Sequence, residues 1–185
     1  AKQSILQFGT PAMAATDVDF YAATVMNYIL GGGGFASRLT QELREGKGYT
    51  YGIRSGFSGT KAKGTFTISS GVRSNVTLES AQAVQKILEE YPTTFSDKDL
   101  ETTKSFLIKS NARAFETAGA KLRMLSNISD FGLKAAYVKD REQLVQNMTK
   151  ERIAALANTY INPNKMIWLV VGDAETQLER MKELG

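Results

Sequence analysis

At 185 residues, with 42% hydrophobic content and a formal charge of +4, the chain is long enough for one sizeable core and too mildly basic to require nucleic acid. It has no histidine and no cysteine, which excludes imidazole zinc sites, histidine-based triads, thiolate chemistry and disulfides within it. No run of eighteen apolar residues occurs, so no segment reads as a membrane span, and no clustered Asp-x-Asp loop suggests a carboxylate metal site.

In chain order, Ile5 to Phe8 reads as a short strand ended by Gly9 and Pro11. Asp17 is placed to cap a helix whose apolar face includes Phe20, Ala23, Val25, Met26, Ile29 and Leu30. The run Gly31, Gly32, Gly33 and Gly34 ends that helix, since each glycine costs about 1 kcal/mol against alanine. Phe35 to Glu45 is again helical, and Gly46 and Gly48 stop it. From Thr50 the period changes to two, putting Tyr51, Ile53, Ser55 and Phe57 on one strand face. Ser58 to Lys63 turns into a second strand, from Gly64 to Gly71 or Val72, with Phe66, Ile68, Ser70 and Val72 together.

Leu78, Ala81, Val84, Leu88 and Tyr91 form the stripe of the next helix, closed by Pro92. Ser96 and Asp99 have capping-box spacing for another, reaching about Phe115, and the two helices suggest an antiparallel pair on the sheet. Glu116 to Phe131 is helical up to Gly132, followed by short helices over 140–148 and 150–160 and a turn at Asn162-Pro163-Asn164. Met166 to Val171 reads as a central, well-buried strand, with Asp173 capping a closing helix. The order predicts one α+β domain over residues 1–185: a split, mixed and largely antiparallel sheet of about four strands, with helices on one face.

Read locally, the four glycines fit neither common phosphate-binding pattern and serve a close helix approach or an exposed peptide-binding backbone. Arg38 and Arg44 default to solvated charges, and Tyr51 to a half-buried strand aromatic. Arg44 and Tyr51 are seven residues apart, and the Gly46–Gly48 turn folds the strand back beside the helix end. Together they could present guanidinium and phenol donors to a carbonyl or carboxylate.

The series Leu30-Gly31-Gly32, Ser37-Arg38-Leu39, Leu43-Arg44-Glu45 and Gly48 to Tyr51, with the terminal Val170-Val171-Gly172-Asp173, resembles the non-zinc half of pitrilysin-type zinc proteases, the group of the mitochondrial processing peptidase. The resemblance extends over nearly the whole chain. It implies the fold of that peptidase domain and a role as the substrate-binding, active-site-completing half of a zinc metalloendopeptidase. The family's arginine and tyrosine that reach the substrate backbone fall on Arg44 and Tyr51, with Tyr49 and Gly31 to Gly34 in support. Zinc and its H-x-x-E-H motif are then expected in a partner domain or subunit, so this chain alone binds no metal and cleaves nothing. The alternative is a scaffold or interaction subunit of the same fold. The implied partners are the zinc half and a peptide. AKQSILQFG lacks the apolar core of a signal peptide and a starting methionine, which suggests a processed product or part of something longer. A bacterial periplasmic or envelope setting is expected, with the cytoplasm as alternative.

Overall fold

The computed structural model describes residues 2–113 and 116–184, the side chains of 112 and 113 excepted. Strands β1 (Gln3–Pro11), β2 (Thr50–Ser58), β3 (Thr65–Arg73) and β4 (Ile167–Val171) form a sheet in the order β2-β3-β1-β4. Every neighbouring pair is antiparallel. Alternation along β1 and β3 turns Leu6, Phe8, Phe66, Ile68 and Val72 inward to full burial. The helices cover that face, whereas Thr65, Ser69 and Arg73 remain exposed on the other.

Helix α1 (Phe20–Asn27) does not stop at the glycines but widens into a π-helical turn, Tyr28–Gly32. A tight turn, Gly34–Ala36, then leads to α2 (Arg38–Thr40), which itself opens into a π-helical segment, Gln41–Gly46. The expected Phe35–Glu45 helix is therefore a composite of three geometries, and π-turns of this kind concentrate at functional sites. Asp19, not Asp17, stands at the N-cap of α1, and the Asp17 carboxylate accepts from the Asp19 N–H at 2.9 Å. Gly31 is required by close approach, because a Cβ there would lie 2.2 Å from Ser55 Oγ. The Asn27 amide locks the same junction, donating to the Ser55 carbonyl at 2.9 Å and accepting from the Ser55 hydroxyl at 2.5 Å.

Helix α3 (Thr77–Thr94) runs two residues past Pro92. Tyr91 explains this: its buried phenol donates to the Met26 carbonyl at 2.6 Å, so tertiary burial anchors the turn that proline would open. Helices α4 (Asp97–Arg113), α5 (Ala118–Phe131), α6 (Tyr137–Asn147), α7 (Lys150–Tyr160) and α8 (Ala174–Met181) follow. The expected end of α4 near Phe115 lies outside the described residues. α3 lies against the sheet and α7, while α4 leans mainly on α6, so the expected α3–α4 pair is not the principal contact of either. α6 starts three residues before its expected start, at Tyr137. Gly132 ends α5 in the left-handed conformation (φ 64°), and Asp173 caps α8 by accepting from the Glu175 N–H.

Strand β4 corrects the sequence reading. It is an edge strand paired only with β1, and Ile167 (70% exposed), Leu169 and Val171 face out beside Ile5. Only Trp168 and Val170 turn inward, Trp168 packing on Phe8 at 4.4 Å between ring centroids. A continuous apolar run is equally compatible with burial on both faces and with an edge carrying an apolar outer stripe.

The Ser96–Asp99 capping box forms as expected. The Ser96 N–H donates to Asp99 Oδ2 at 2.9 Å, and the Asp99 N–H donates to Ser96 Oγ at 3.2 Å. Arg38 completes it, which the default of a solvated charge missed. Its guanidinium donates to Asp99 Oδ2 and the Thr94 carbonyl, each at 2.8 Å, and lies 5.0 Å from the Tyr91 ring centroid. Burial is the largest influence on the Asp99 carboxyl and pushes it up, but the Ser96 and Arg38 donors together prevail and hold it below its ordinary value of 3.8. A depressed carboxylate contributes stability that is present above 3.8 and lost as pH falls through its folded value. Asp99→Asn is therefore expected to cost about 1–2 kcal/mol at pH 7, discounted for partial exposure. The difference from wild type should shrink below pH 3.8 in urea melts taken across pH. A cost independent of pH would contradict a charge-based role.

Candidate functional site

Arg44 and Tyr51 line one cleft of about 760 Å³, together with Tyr49, Arg73, Lys2 and Glu45. The approach depends on the turn between them. The Tyr49 N–H donates to the Leu43 carbonyl at 2.8 Å and the Gly48 N–H to the Arg44 carbonyl at 3.1 Å, with Gly48 at φ 62°. That left-handed residue folds the start of β2 back beside the π-helical segment. The Arg44 guanidinium lies 4.6 Å from the Phe35 ring centroid, and its Nε is 3.3 Å from Glu45 Oε1. Stacking and a single ion contact orient it while leaving its terminal N–H donors available.

Tyr51 does not share a face with Ile53 and Ser55, contrary to the two-residue period. Register passes from Thr50↔Val72 to Ile53↔Ser70, so β2 carries one extra residue against β3. This bulge turns Thr50 and Ile53 inward and leaves Tyr51 90% exposed. Buried hydroxyls pin it: the Gly52 N–H donates to Thr50 Oγ1 at 3.0 Å, the Ser70 hydroxyl to Thr50 Oγ1 at 2.9 Å, and the Thr50 hydroxyl to the Gly71 carbonyl at 2.7 Å. Bulges re-aim side chains in this way. The phenol thus has almost no packing role, and its O–H is free to donate to a ligand.

Arg73 on β3 also lines the cleft, its backbone N–H donating to the Tyr49 carbonyl at 3.2 Å. Sequence reasoning passed over it, and its only signal was a charge at the end of a strand pairing with the Tyr49–Thr50 segment. Tyr49 is half-buried, with Lys47 Nζ 5.8 Å from its ring centroid. Gly31, Gly32, Gly33 and Gly34 do not line the cleft. Gly31 is packed against Ser55 and Leu39, whereas Gly34 (φ 56°) meets open space. The donor set does not fit zinc: the chain has no histidine or cysteine, and among the described residues no group of three or more ligating side chains could hold a metal ion. Among these residues, too, no helix is long and apolar enough to cross a membrane.

Fold and cleft together define a class: a helix-backed antiparallel sheet that can offer guanidinium and phenol donors to a ligand but cannot assemble a zinc site. The chain belongs to the M16 peptidase family as its inactive domain, since the family model described as "Peptidase M16 inactive domain" matches residues 1–107. It corresponds to the C-terminal, non-catalytic half of the pitrilysin-like zinc metallopeptidases. It is similar, at 26% identity over 176 residues, to a non-peptidase homologue, YmxG, of Helicobacter pylori, covering 93% of this chain and 40% of that protein. A protein of Streptomyces coelicolor named as an uncharacterized zinc protease, SCO5738, is 40% identical over 72 residues, covering 39% of this chain and 16% of that one. The crystal structure of a peptidase M16 inactive domain from Pseudomonas fluorescens superimposes with a TM-score of 0.85 at 30% identity, covering 92% of this chain and 41% of that chain. The chain thus spans about two fifths of the Helicobacter relative and of the Pseudomonas structure.

Proposed function

We propose that residues 1–185 form the substrate-binding, active-site-completing domain of a two-domain or two-subunit zinc metalloendopeptidase acting on peptides or unfolded segments. The observation that carries this reading is the shared cleft, in which a stacked Arg44 and a bulge-exposed Tyr51 present donors from two different elements. Such donors can hold a backbone carbonyl and stabilise the oxyanion that develops when water attacks it. Zinc, supplied with an H-x-x-E-H motif by the other half, would activate that water. This domain's own contribution is to bind and orient the chain. Recognition through backbone groups makes the clamp tolerant of substrate sequence.

The exposed stripe of Ile5, Ile167, Leu169 and Val171 supports a domain that is covered by a partner in the whole protein. An envelope or periplasmic setting belongs to the same proposal, and fractionation of the whole protein tests it. The deciding experiment measures cleavage of an unstructured peptide by the histidine-bearing half with and without this domain. Cleavage is expected only when both are present. Equal cleavage by the histidine-bearing half alone would overturn the proposal. A scaffold role is the second reading, favoured by the name of the Helicobacter relative as a non-peptidase homologue. It predicts no H-x-x-E-H motif in the remainder of the protein or its partner, and no cleavage in either arm.

A further inference from the structure

A second recess, of about 350 Å³, lies where α1, α4, α5 and α6 meet and shares no residue with the Arg44–Tyr51 cleft. Arg123 and Asn127 enter it from α5, Tyr137 and Arg141 from α6, with Asn111 of α4 and Tyr21 of α1 completing the wall. Arg123 and Asn127 on α5, and Tyr137 and Arg141 on α6, are each four apart and so share one helix face. The Arg141 guanidinium carbon lies over two rings, 4.5 Å from the Tyr21 centroid and 4.8 Å from that of Tyr137. Such cation–π contacts use the guanidinium charge but consume none of its N–H donors. Among the described residues neither Arg123 nor Arg141 has a carboxylate within ion-pair distance, and no carboxylate lines the recess. Glu116, Asp130 and Asp140, acids near Arg123 and Arg141 in sequence, are exposed and lie outside it. Glu142 lines an adjoining recess together with Lys139.

Two unpaired guanidinium groups, two side-chain amides and two phenols around one small volume form an anion cradle. α5 gives the cradle a purpose. It has no buried residue, and its Leu122 and Leu125 are exposed, so little burial ties it to the body. We propose that this recess binds an oxyanion, a carboxylate or phosphate group, which Arg123 of α5 and Arg141 of α6 grip together, bracing α5 against α6. Arginine suits this because its planar fork matches both groups, whether they come from a free small anion or from the terminal carboxylate of a peptide.

The test is calorimetric titration of the 185-residue chain with inorganic phosphate, with citrate, and with one peptide in free-acid and amidated forms. Hydrogen exchange of α5 is followed in parallel. Saturable 1:1 binding of at least one probe is expected, with slower exchange in α5. Arg123→Gln and Arg141→Gln should each weaken binding about tenfold or more, and Lys61→Gln, in the β2–β3 turn and outside the recess lining, should not. Arg123 is exposed, so its replacement keeps the test valid should Arg141→Gln lose its tyrosine stacking and unfold. Binding of the free-acid but not the amidated peptide assigns the source to a chain terminus. Binding of phosphate or citrate alone assigns it to a free anion. No saturable binding by any probe, or binding unchanged by Arg123→Gln, would overturn the proposal.

Discussion

On the proposed function, Tyr51→Phe in the whole protein is expected to lower kcat for peptide cleavage about 100-fold while leaving zinc content and the unfolding midpoint unchanged. The magnitude is that of removing one aimed donor from an oxyanion-stabilising set. Tyr51 is 90% exposed, so the substitution opens no cavity and any loss of rate reports the hydroxyl itself. The chain has no histidine or cysteine, and the zinc content of the whole protein separates loss of metal from loss of the hydroxyl. Arg44→Ala should act more broadly, lowering kcat and raising KM, because a guanidinium can hold a carbonyl in the ground state as well as the transition state. It also removes the stack on Phe35, so Arg44→Lys is the useful companion: it retains charge and loses the fork. Unchanged turnover in both Tyr51→Phe and Arg44→Ala, with folding intact, would remove both residues from the mechanism. A full loss in Tyr51→Phe with no effect of Arg44→Ala would leave the phenol as the sole donor.

Gly31→Ala should be the most destabilising single-methyl substitution in the glycine run, at about 3 kcal/mol. The added Cβ would stand 2.2 Å from Ser55 Oγ and 2.8 Å from both Leu39 Cδ1 and the Ser55 backbone nitrogen. Ser55 cannot yield cheaply, because its hydroxyl and carbonyl are both held by Asn27 in a buried pair. Relief therefore means breaking that pair or displacing β2. Gly34→Ala meets open space and should cost only about 1–2 kcal/mol, the strain of a left-handed backbone with a side chain. Urea unfolding midpoints at constant m-value separate the two. A Gly31→Ala domain as stable as wild type would show that the π-turn and β2 can part without cost, and the packing account of Gly31 would fail.

The sequence by itself determined whatever is decided within a few residues. Alternation placed Phe66, Ile68, Ser70 and Val72 on one buried face, the Ser96–Asp99 spacing formed its box, Gly132 stopped α5, and Asn162 accepted from the Asn164 N–H to make its turn. The absence of histidine likewise excludes an imidazole zinc site whatever the fold. Tertiary structure decided the rest, because the deciding partners are distant in sequence. Which way Tyr51 points depends on a bulge in which Thr50 is held by Ser70, twenty residues further on. Arg38 became a structural clamp through Asp99, sixty-one residues away. Tyr91 carried α3 past Pro92 by reaching Met26, sixty-five residues back. The hydropathy of β4 recorded only that its residues are apolar, and its edge position followed from β3 having already paired with the other side of β1. Periodicity reports a strand's own two faces, but a bulge, an edge and an ion pair are properties of two segments meeting, and no window on one segment contains them.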